Sequence, residues 1–207
     1  NVAGLVAPYW SDVTKDELTD IARLAEDSGY DSIWVPEMWG RDAFSILALL
    51  ALNTSTIRLA TGIVPVFSRT PAVLAQTAAT LDEFSGGRLI LGLGSSGPAV
   101  IENWQGWTCD KPLKRRREYV EIIKLILAYG RADYHGEIFE LKGFRLQFEP
   151  VRQDLPVYIA AMGPRNIRLA GEVADGWIPF LIPPEAIVSM NKELRAGAAS
   201  AGRDPGS

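Results

Sequence analysis

Short apolar runs alternate along the chain with longer segments of helical period. Residues 3–7 form the first run and predict a strand. Thr14 and Glu17 then have the spacing of a capping box, in which each side chain satisfies the other's unpaired backbone donor. Leu18, Ile21, Ala22 and Ala25 recur at helical spacing behind it, and Gly29 ends that helix. Residues 32–36 predict a second strand, Asp42 caps a helix over 43–52, and residues 57–64 predict a third strand. Pro71 suits the first position of a helix that carries Val73, Leu74, Ala78, Leu81 and Phe84 and stops at Ser85-Gly86-Gly87. Residues 88–93 give a fourth strand. A longer helix over about 113–128 turns Tyr119, Val120, Ile123 and Leu127 inward.

After that helix, residues 137–148 alternate in polarity around Lys142-Gly143, which predicts a hairpin insertion near 133–150. A fifth strand over 156–161, a helix from Pro164, a sixth strand over 176–180 and a helix from Pro183-Pro184 to near Gly202 complete the pattern. Six strand-then-helix units imply a parallel sheet with right-handed crossovers. Continuous apolar runs suit strands covered on both faces. Two architectures fit: a doubly wound open sheet or a (β/α) barrel. No composition break divides the chain, so residues 1–207 read as one domain.

The 207 residues are 47% hydrophobic and 22% charged, ordinary for a globular protein and far from the composition of a disordered one. Lys and Arg number 21 against 25 acids, giving a net charge of −4. This balance does not suit a nucleic-acid partner. The one dense basic run, Lys114-Arg115-Arg116-Arg117, reads as a solvated helix face. A single cysteine, Cys109, excludes an internal disulfide framework, and a single histidine, His135, leaves no Cys/His set for a metal. His135 reads as structural. No apolar run is long enough to span a membrane and no secretory signal is visible, so the expected setting is the cytoplasm.

Chemistry concentrates just after the strands. Gly92-Leu93-Gly94-Ser95-Ser96-Gly97 fits G-x-G-x-x-G, the phosphate-binding pattern of dinucleotide folds. It follows the fourth strand, however, whereas that pattern normally follows the first. Tyr9 and Trp10 follow the first strand, Glu37, Met38 and Trp39 the second, and Met162 and Gly163 the fifth, while Gly62 and Ile63 lie near the end of the third. In a barrel these positions share one rim, where such enzymes build their sites. Glu37 either pairs with Arg41 or Arg69, or contacts a polar ring edge and moves a proton.

Together these segments resemble the luciferase-like monooxygenase superfamily, and within it the branch that uses the deazaflavin coenzyme F-420. The resemblance runs through Tyr30-Asp31-Ser32-Ile33-Trp34-Val35-Pro36-Glu37, Thr61-Gly62-Ile63, Ser68-Arg69-Thr70-Pro71, Ala79-Thr80-Leu81-Asp82 and Ser85-Gly86-Gly87-Arg88. It continues through Leu91-Gly92-Leu93-Gly94, Ser96-Gly97-Pro98, Arg117-Glu118, Tyr134-His135-Gly136 and Ala160-Ala161-Met162-Gly163-Pro164. It implies a TIM-like (β/α) barrel of the bacterial luciferase type, often dimeric, here truncated after the sixth βα unit, since a full barrel takes about 250 residues.

By the same resemblance, a strained non-prolyl cis peptide would fall at Gly62-Ile63. Glu37 would be the catalytic residue, with Met38, Gly62, Ile63, Ser95 and Ser96 near the ring and Met162-Gly163 at the ribityl or phosphate end. Tyr9, Trp10 and Trp177 would line the substrate pocket. The implied activity is hydride transfer between coenzyme F-420 and a small organic substrate, methylenetetrahydromethanopterin-reductase-like, by a homodimer. Two alternatives stand beside it: an FMN-dependent monooxygenase of the same fold, and a non-catalytic truncated barrel acting as a binding module. Sugar-phosphate dehydrogenases of the family carry a glutamate soon after the fourth strand. Here that stretch reads Ser95-Ser96-Gly97-Pro98, with the next acid at Glu102, which argues against that substrate.

Overall fold

The computed structural model describes residues 3–8, 10 and 12–204. Six parallel strands lie side by side in chain order: β1 (Gly4–Val6), β2 (Ser32–Pro36), β3 (Arg58–Pro65), β4 (Leu89–Gly94), β7 (Val157–Ala160) and β8 (Gly176–Ile178). The helices between them are α1 (Lys15–Asp27), α2 (Ala43–Ala51), α3 (Pro71–Phe84), α4 (Pro112–Tyr129) and α5 (Pro164–Val173), and α6 (Pro184–Ser200) follows β8. The predicted caps form: Thr14 and Glu17 make the full capping box, Asp42 accepts from the Ser45 N–H, and Thr70 precedes Pro71.

A doubly wound sheet reverses its strand order at a switch point, and dinucleotides bind there. This sheet never reverses, so the doubly wound alternative falls and with it the dinucleotide use of Gly92–Gly97. The sheet is instead curled as part of a barrel. Trp34 on β2 and Tyr158 on β7 meet across the concave face with ring centroids 6.0 Å apart, although a flat sheet would hold those strands about 14 Å apart.

Side-chain size shapes the concave face. Cα partners in register share a face. The helix-facing set contains Ile33, Leu59, Leu89, Leu91, Leu93, Val157 and Ile159, all in the hydrophobic core. The concave set mixes Gly4, Ser32, Ala60, Gly92 and Gly176 with Trp34, Ile90, Tyr158 and Ile178. The small residues leave the room in which these large ones meet across the concave face. Gly92 marks the tightest point: a Cβ there would lie 2.0 Å from the Thr61 carbonyl oxygen and 2.8 Å from Ile178 Cδ1. At Gly94 a Cβ would lie 2.4 Å from Ile63 Cγ1. These two glycines serve strand packing.

The hairpin insertion exists with a different turn. β5 (Arg131–His135) pairs antiparallel with β6 (Glu140–Arg145), so the chain reverses at 136–139. Lys142-Gly143 lies inside β6, where Gly143 has φ 63° and donates to Asp133 Oδ1 at 2.7 Å opposite a break in the register. A glycine with positive φ marks a bulge as readily as a turn, and the reversal is instead fixed by Glu118 of α4. Its buried carboxylate accepts the N–H groups of Glu137, Ile138 and Phe139.

The lower ends of the strands are tied by charge. Arg152 donates to both oxygens of buried Asp82, which also accepts the Leu89 N–H at the start of β4. Arg88 donates to Thr54 Oγ1 and to the carbonyls of Ala51, Thr54, Ile57 and Ser85. Glu26 grips the entrance to β3: burial opposes its ionisation, but the N–H groups of Ile57, Thr56 and Ser55 outweigh that and hold its carboxyl at about 2, below the ordinary 4.5.

Three outcomes follow from this packing. Gly92→Ala should lower stability in urea denaturation by about 3 kcal/mol or prevent folding, as for forced overpacking. Gly97→Ala, where no atom lies within 4 Å of the added methyl, should change stability by less than about 0.5 kcal/mol. Because the Glu26 carboxyl is lower in the folded chain, its contribution is complete above pH 4.5 and disappears as the pH falls toward 2. Glu26→Gln should therefore lower the neutral-pH melting temperature and flatten its fall across that window.

Candidate active site

The carboxyl ends of the strands carry the candidate residues, and a break in the sheet organises them. The registers β2–β3 and β3–β4 both shift across Thr61–Ile63. Thr61 is fully buried there, and its hydroxyl replaces the lost ladder bonds: it accepts from the Gly92 N–H at 2.7 Å and donates to the Gly92 carbonyl at 3.0 Å. Every peptide bond among the described residues is trans. The cis bond expected at Gly62-Ile63 is therefore absent, and the bulge redirects the strand with trans bonds alone.

The break brings the second, third and fourth strand ends together. The Glu37 N–H donates to the Ile63 carbonyl at 2.9 Å, and the Val66 N–H donates to the Gly94 carbonyl at 2.8 Å. Beyond β4, Ser95 and Ser96 are half-buried. Ser96 has φ 56°, a conformation costly for a residue with a Cβ and concentrated at functional turns. The tryptophan-rich segment, which the sequence shows only as a loop, closes into one π-helical turn over Val100–Trp104. That turn sets Trp104 edge-on to Trp39, with centroids 5.2 Å apart. Met38, Trp39, Trp104 and Met162 are all exposed at this rim. Trp10 is exposed too, and Arg41 fastens its loop by donating to the Trp10 and Val13 carbonyls. Tyr9 lies outside the described residues.

Trp177 does not join them. It pairs in register with Ile159, on the helix-facing side of the sheet, and its indole N–H donates to the Ala161 carbonyl at 2.7 Å. Strand alternation turns it away from the concave face. His135 is exposed on the hairpin, away from the strand ends.

Glu37 takes the first of its two expected roles. Its carboxylate accepts both Arg69 terminal nitrogens and the Ala43 N–H, and its side chain is 12% exposed. Arg69 also donates to Asp42 at 2.6 Å and stacks over Phe44. Tyr119 of α4 donates to the Arg69 carbonyl. Burial alone would raise the Asp42 carboxyl, but the Ser45 hydroxyl and N–H, with Arg69 nearby, bring it below its ordinary value. Burial works against the Arg69 charge, yet Glu37 and Asp42 raise its pKa. The network fixes the β2–α2 loop against the β3–α3 loop.

Glycine positions test whether a flat ring with a tail fits here. Gly62, Gly97 and Gly163 all lie at the rim outside the left-handed φ region. A Cβ at Gly62 would meet only Pro36, at 3.4 Å; at Gly163, only Asn166 Nδ2 at 3.7 Å; at Gly97, nothing. No protein atom accounts for these missing side chains. Bare backbone beside an open rim fits a large planar ligand.

The fold is a curled parallel β/α barrel, with the candidate residues at the carboxyl ends of its strands. The profile of the luciferase-like monooxygenase family matches residues 5–207, and the chain belongs to that family. It is 39% identical over 188 residues to a 5,10-methylenetetrahydromethanopterin reductase of Archaeoglobus fulgidus, covering 90% of this chain and 56% of that protein. It is 33% identical over 205 residues to an F-420-dependent glucose-6-phosphate dehydrogenase of Mycolicibacterium fortuitum, covering 91% and 60%. The solved coenzyme F-420-dependent tetrahydromethanopterin reductase of Methanopyrus kandleri superposes with a TM-score of 0.88 at 27% identity, covering 98% of this chain and 62% of that one. The chain thus spans about three-fifths of the length of these relatives.

Glu37→Gln leaves Arg69 half-buried with a weaker partner, and removal of one member of such a pair costs less than at a fully buried site. Urea denaturation should show a loss of about 2 kcal/mol. An unchanged midpoint would mean that the network does not hold the two loops.

Proposed function

We propose that the protein is an oxidoreductase that binds coenzyme F-420 at the rim and transfers hydride between it and a small organic substrate. The observation carrying this reading is the bare, uncrowded backbone at Gly62, Gly97 and Gly163 around the open strand ends. The printed functions of the F-420-dependent relatives support the choice of cofactor. The Gly62-Ile63 bulge would back the ring, Met38, Ser95 and Ser96 would border it, and Met162-Gly163 would meet its tail. Once bound, the deazaflavin supplies a ring carbon that carries hydride, a two-electron chemistry. The protein's part is to present one ring face and exclude water.

Glu37 acts in this reading as a positioning residue, since its carboxylate is already committed to Arg69. Trp10, Trp39 and Trp104 would wall an apolar substrate side. After β4 the chain reads Ser95-Ser96-Gly97-Pro98, with the next acid at Glu102, which supports substrates other than sugar phosphates. We propose a homodimer through the groove between α2 and α3, where Val73 and Phe84 are exposed beside Phe44 and Leu81. No helix among the described residues is long and apolar enough to cross a membrane, and we propose the cytoplasm as the setting.

Fluorescence quenching by the purified chain, titrated separately with F-420 and FMN, tests the assignment. Saturable F-420 binding with weaker FMN binding is expected. Gly62→Val should reduce F-420 affinity about tenfold by crowding the ring, while His135→Ala leaves it unchanged. The opposite cofactor order would make the protein a flavin enzyme, and binding of neither would leave a non-catalytic module. A single-chain mass by light scattering would refute the dimer.

A further inference from the structure

Between β4 and α4 the chain makes an excursion that keeps its bonding to itself. Among the described residues, the hydrogen bonds of residues 97–110 run within the segment. The Val100 and Ile101 N–H groups donate to the Gly97 carbonyl, Gln105 to Val100, Trp107 to Ile101 and Asp110 to Thr108, while the Cys109 N–H meets the Glu102 carboxylate. Two side chains tie the segment to the core: Ile101, which is fully buried, and Cys109, which packs beside the cluster. Beyond Ile101, residues 102–108 are exposed except for the half-buried Gln105. A compact surface loop bonded internally, and little to its surroundings, opens at lower cost than the elements beside it.

The far end of this excursion is a strained joint against a fixed support. Lys111 has φ 45° and ψ 49°, the left-handed region that is costly for a residue with a Cβ, and Pro112 behind it favours an extended residue there. The head of α4 is held in place, because the basic run is no solvated face. Lys114 pairs with Glu137, Arg115 stacks over Phe67 and Phe139, Arg116 is buried and Arg117 pairs with Glu172. The strain therefore falls on the excursion. Inside it, Gln105 Oε1 is buried with no hydrogen-bond donor, an unfavourable state that release to water relieves. Against these costs stands the contact of Trp104 with Trp39 in the β2–α2 loop. The rings meet edge-on at 5.2 Å and 87°, yet remain 61% and 64% exposed.

That contact joins the loop after β2 to the loop after β4, and β3 lies between those strands. The clasp thus passes the end of β3, where Gly62 and Ile63 reach the rim. We propose that residues 102–110 are a strap pivoting between Ile101 and Lys111, which clasps Trp104 on Trp39 across the mouth of β3 and releases before a planar ligand reaches Gly62. Resting on the function proposed above, that ligand is the ring of the cofactor. The strap then sets the rates of ring entry and exit, as a gating loop does.

Stopped-flow quenching of F-420 fluorescence tests the gate. Trp39→Cys with Trp104→Cys, in a Cys109→Ser background, is bridged by a bis-methanethiosulfonate reagent whose disulfides a reductant cleaves. Association should be about tenfold or more slower in the bridged chain than in the same chain after reduction; equal rates overturn the gate. Lys111→Gly removes the left-handed strain and so favours the clasp, and it should slow association and dissociation alike by about fivefold. Glu137→Gln, which removes the ion pair of Lys111 and leaves its backbone alone, should change neither. Faster association in Lys111→Gly, the result for a loop loosened by glycine, overturns the hinge. The strap is also read without a ligand, in the chain labelled with 5-fluorotryptophan. The fluorine resonances of Trp39 and Trp104, assigned by Trp39→Phe and Trp104→Phe, should both show microsecond-to-millisecond exchange, and that of Trp34 should not. Static resonances at Trp39 and Trp104 overturn the strap. Exchange at both with no binding of F-420 or FMN leaves the strap standing and refutes the proposed function.

Discussion

The approach of β3 to β4 at Thr61 and Gly92 is the constraint on which the rest of the architecture depends. The Thr61 carbonyl lies where a Gly92 Cβ would be, and the Thr61 hydroxyl closes both Gly92 backbone groups. A residue with any side chain at 92 would push the strands apart, and an apolar residue at 61 would leave two buried backbone groups unpaired, each costing about 1–3 kcal/mol. Because the ladder is broken there, β3 can shift register and carry Gly62 and Ile63 toward the strand ends. The same small residues let Ile178 and Tyr158 lean across the concave face. Curvature and the rim therefore share a physical origin.

That dependence shows what the sequence could and could not reveal. Strands and helices were legible because apolar runs and caps act locally: Thr14 with Glu17, Asp42 and Pro71 start helices where expected. The choice between open sheet and barrel was not legible from periodicity, since both use the same alternation. Strand order decided it. Gly92 and Gly94 resembled a phosphate loop because a glycine required by a neighbouring strand looks the same in sequence as one required by a ligand. The Lys142-Gly143 turn failed for a related reason, since positive φ serves bulges and turns alike.

The site was legible as a set of positions and less so as a set of roles. Adjacency of the strand ends placed Glu37, Met38, Gly62, Ile63, Ser95, Ser96, Met162 and Gly163 on one rim. Strand alternation counted against Trp177, whose neighbour in register already faces the helices. Whether Glu37 was a free acid depended on Arg69, which is distant in sequence and meets it only through the β3 break. The burial of Arg116 was hidden by its neighbours. Four consecutive cations read as one solvated face, yet a helix turns each by about 100°, and packing against the hairpin and α5 gives each a different environment.

The two ends of the sheet use their polar groups in different ways. At the lower end Asp82, Arg88 and Glu26 are matched by side chains or backbone atoms, and Asp175 joins them by accepting the Val157 N–H and Lys124. Such groups hold strands in place and have little capacity left for a ligand. At the upper end the Glu37–Arg69–Asp42 network secures two loops, while the backbone at Gly62, Gly97 and Gly163 stays bare. A fold that commits its polar groups to the strands below and leaves backbone bare above has separated the end that holds the strands from the end with room for a ligand.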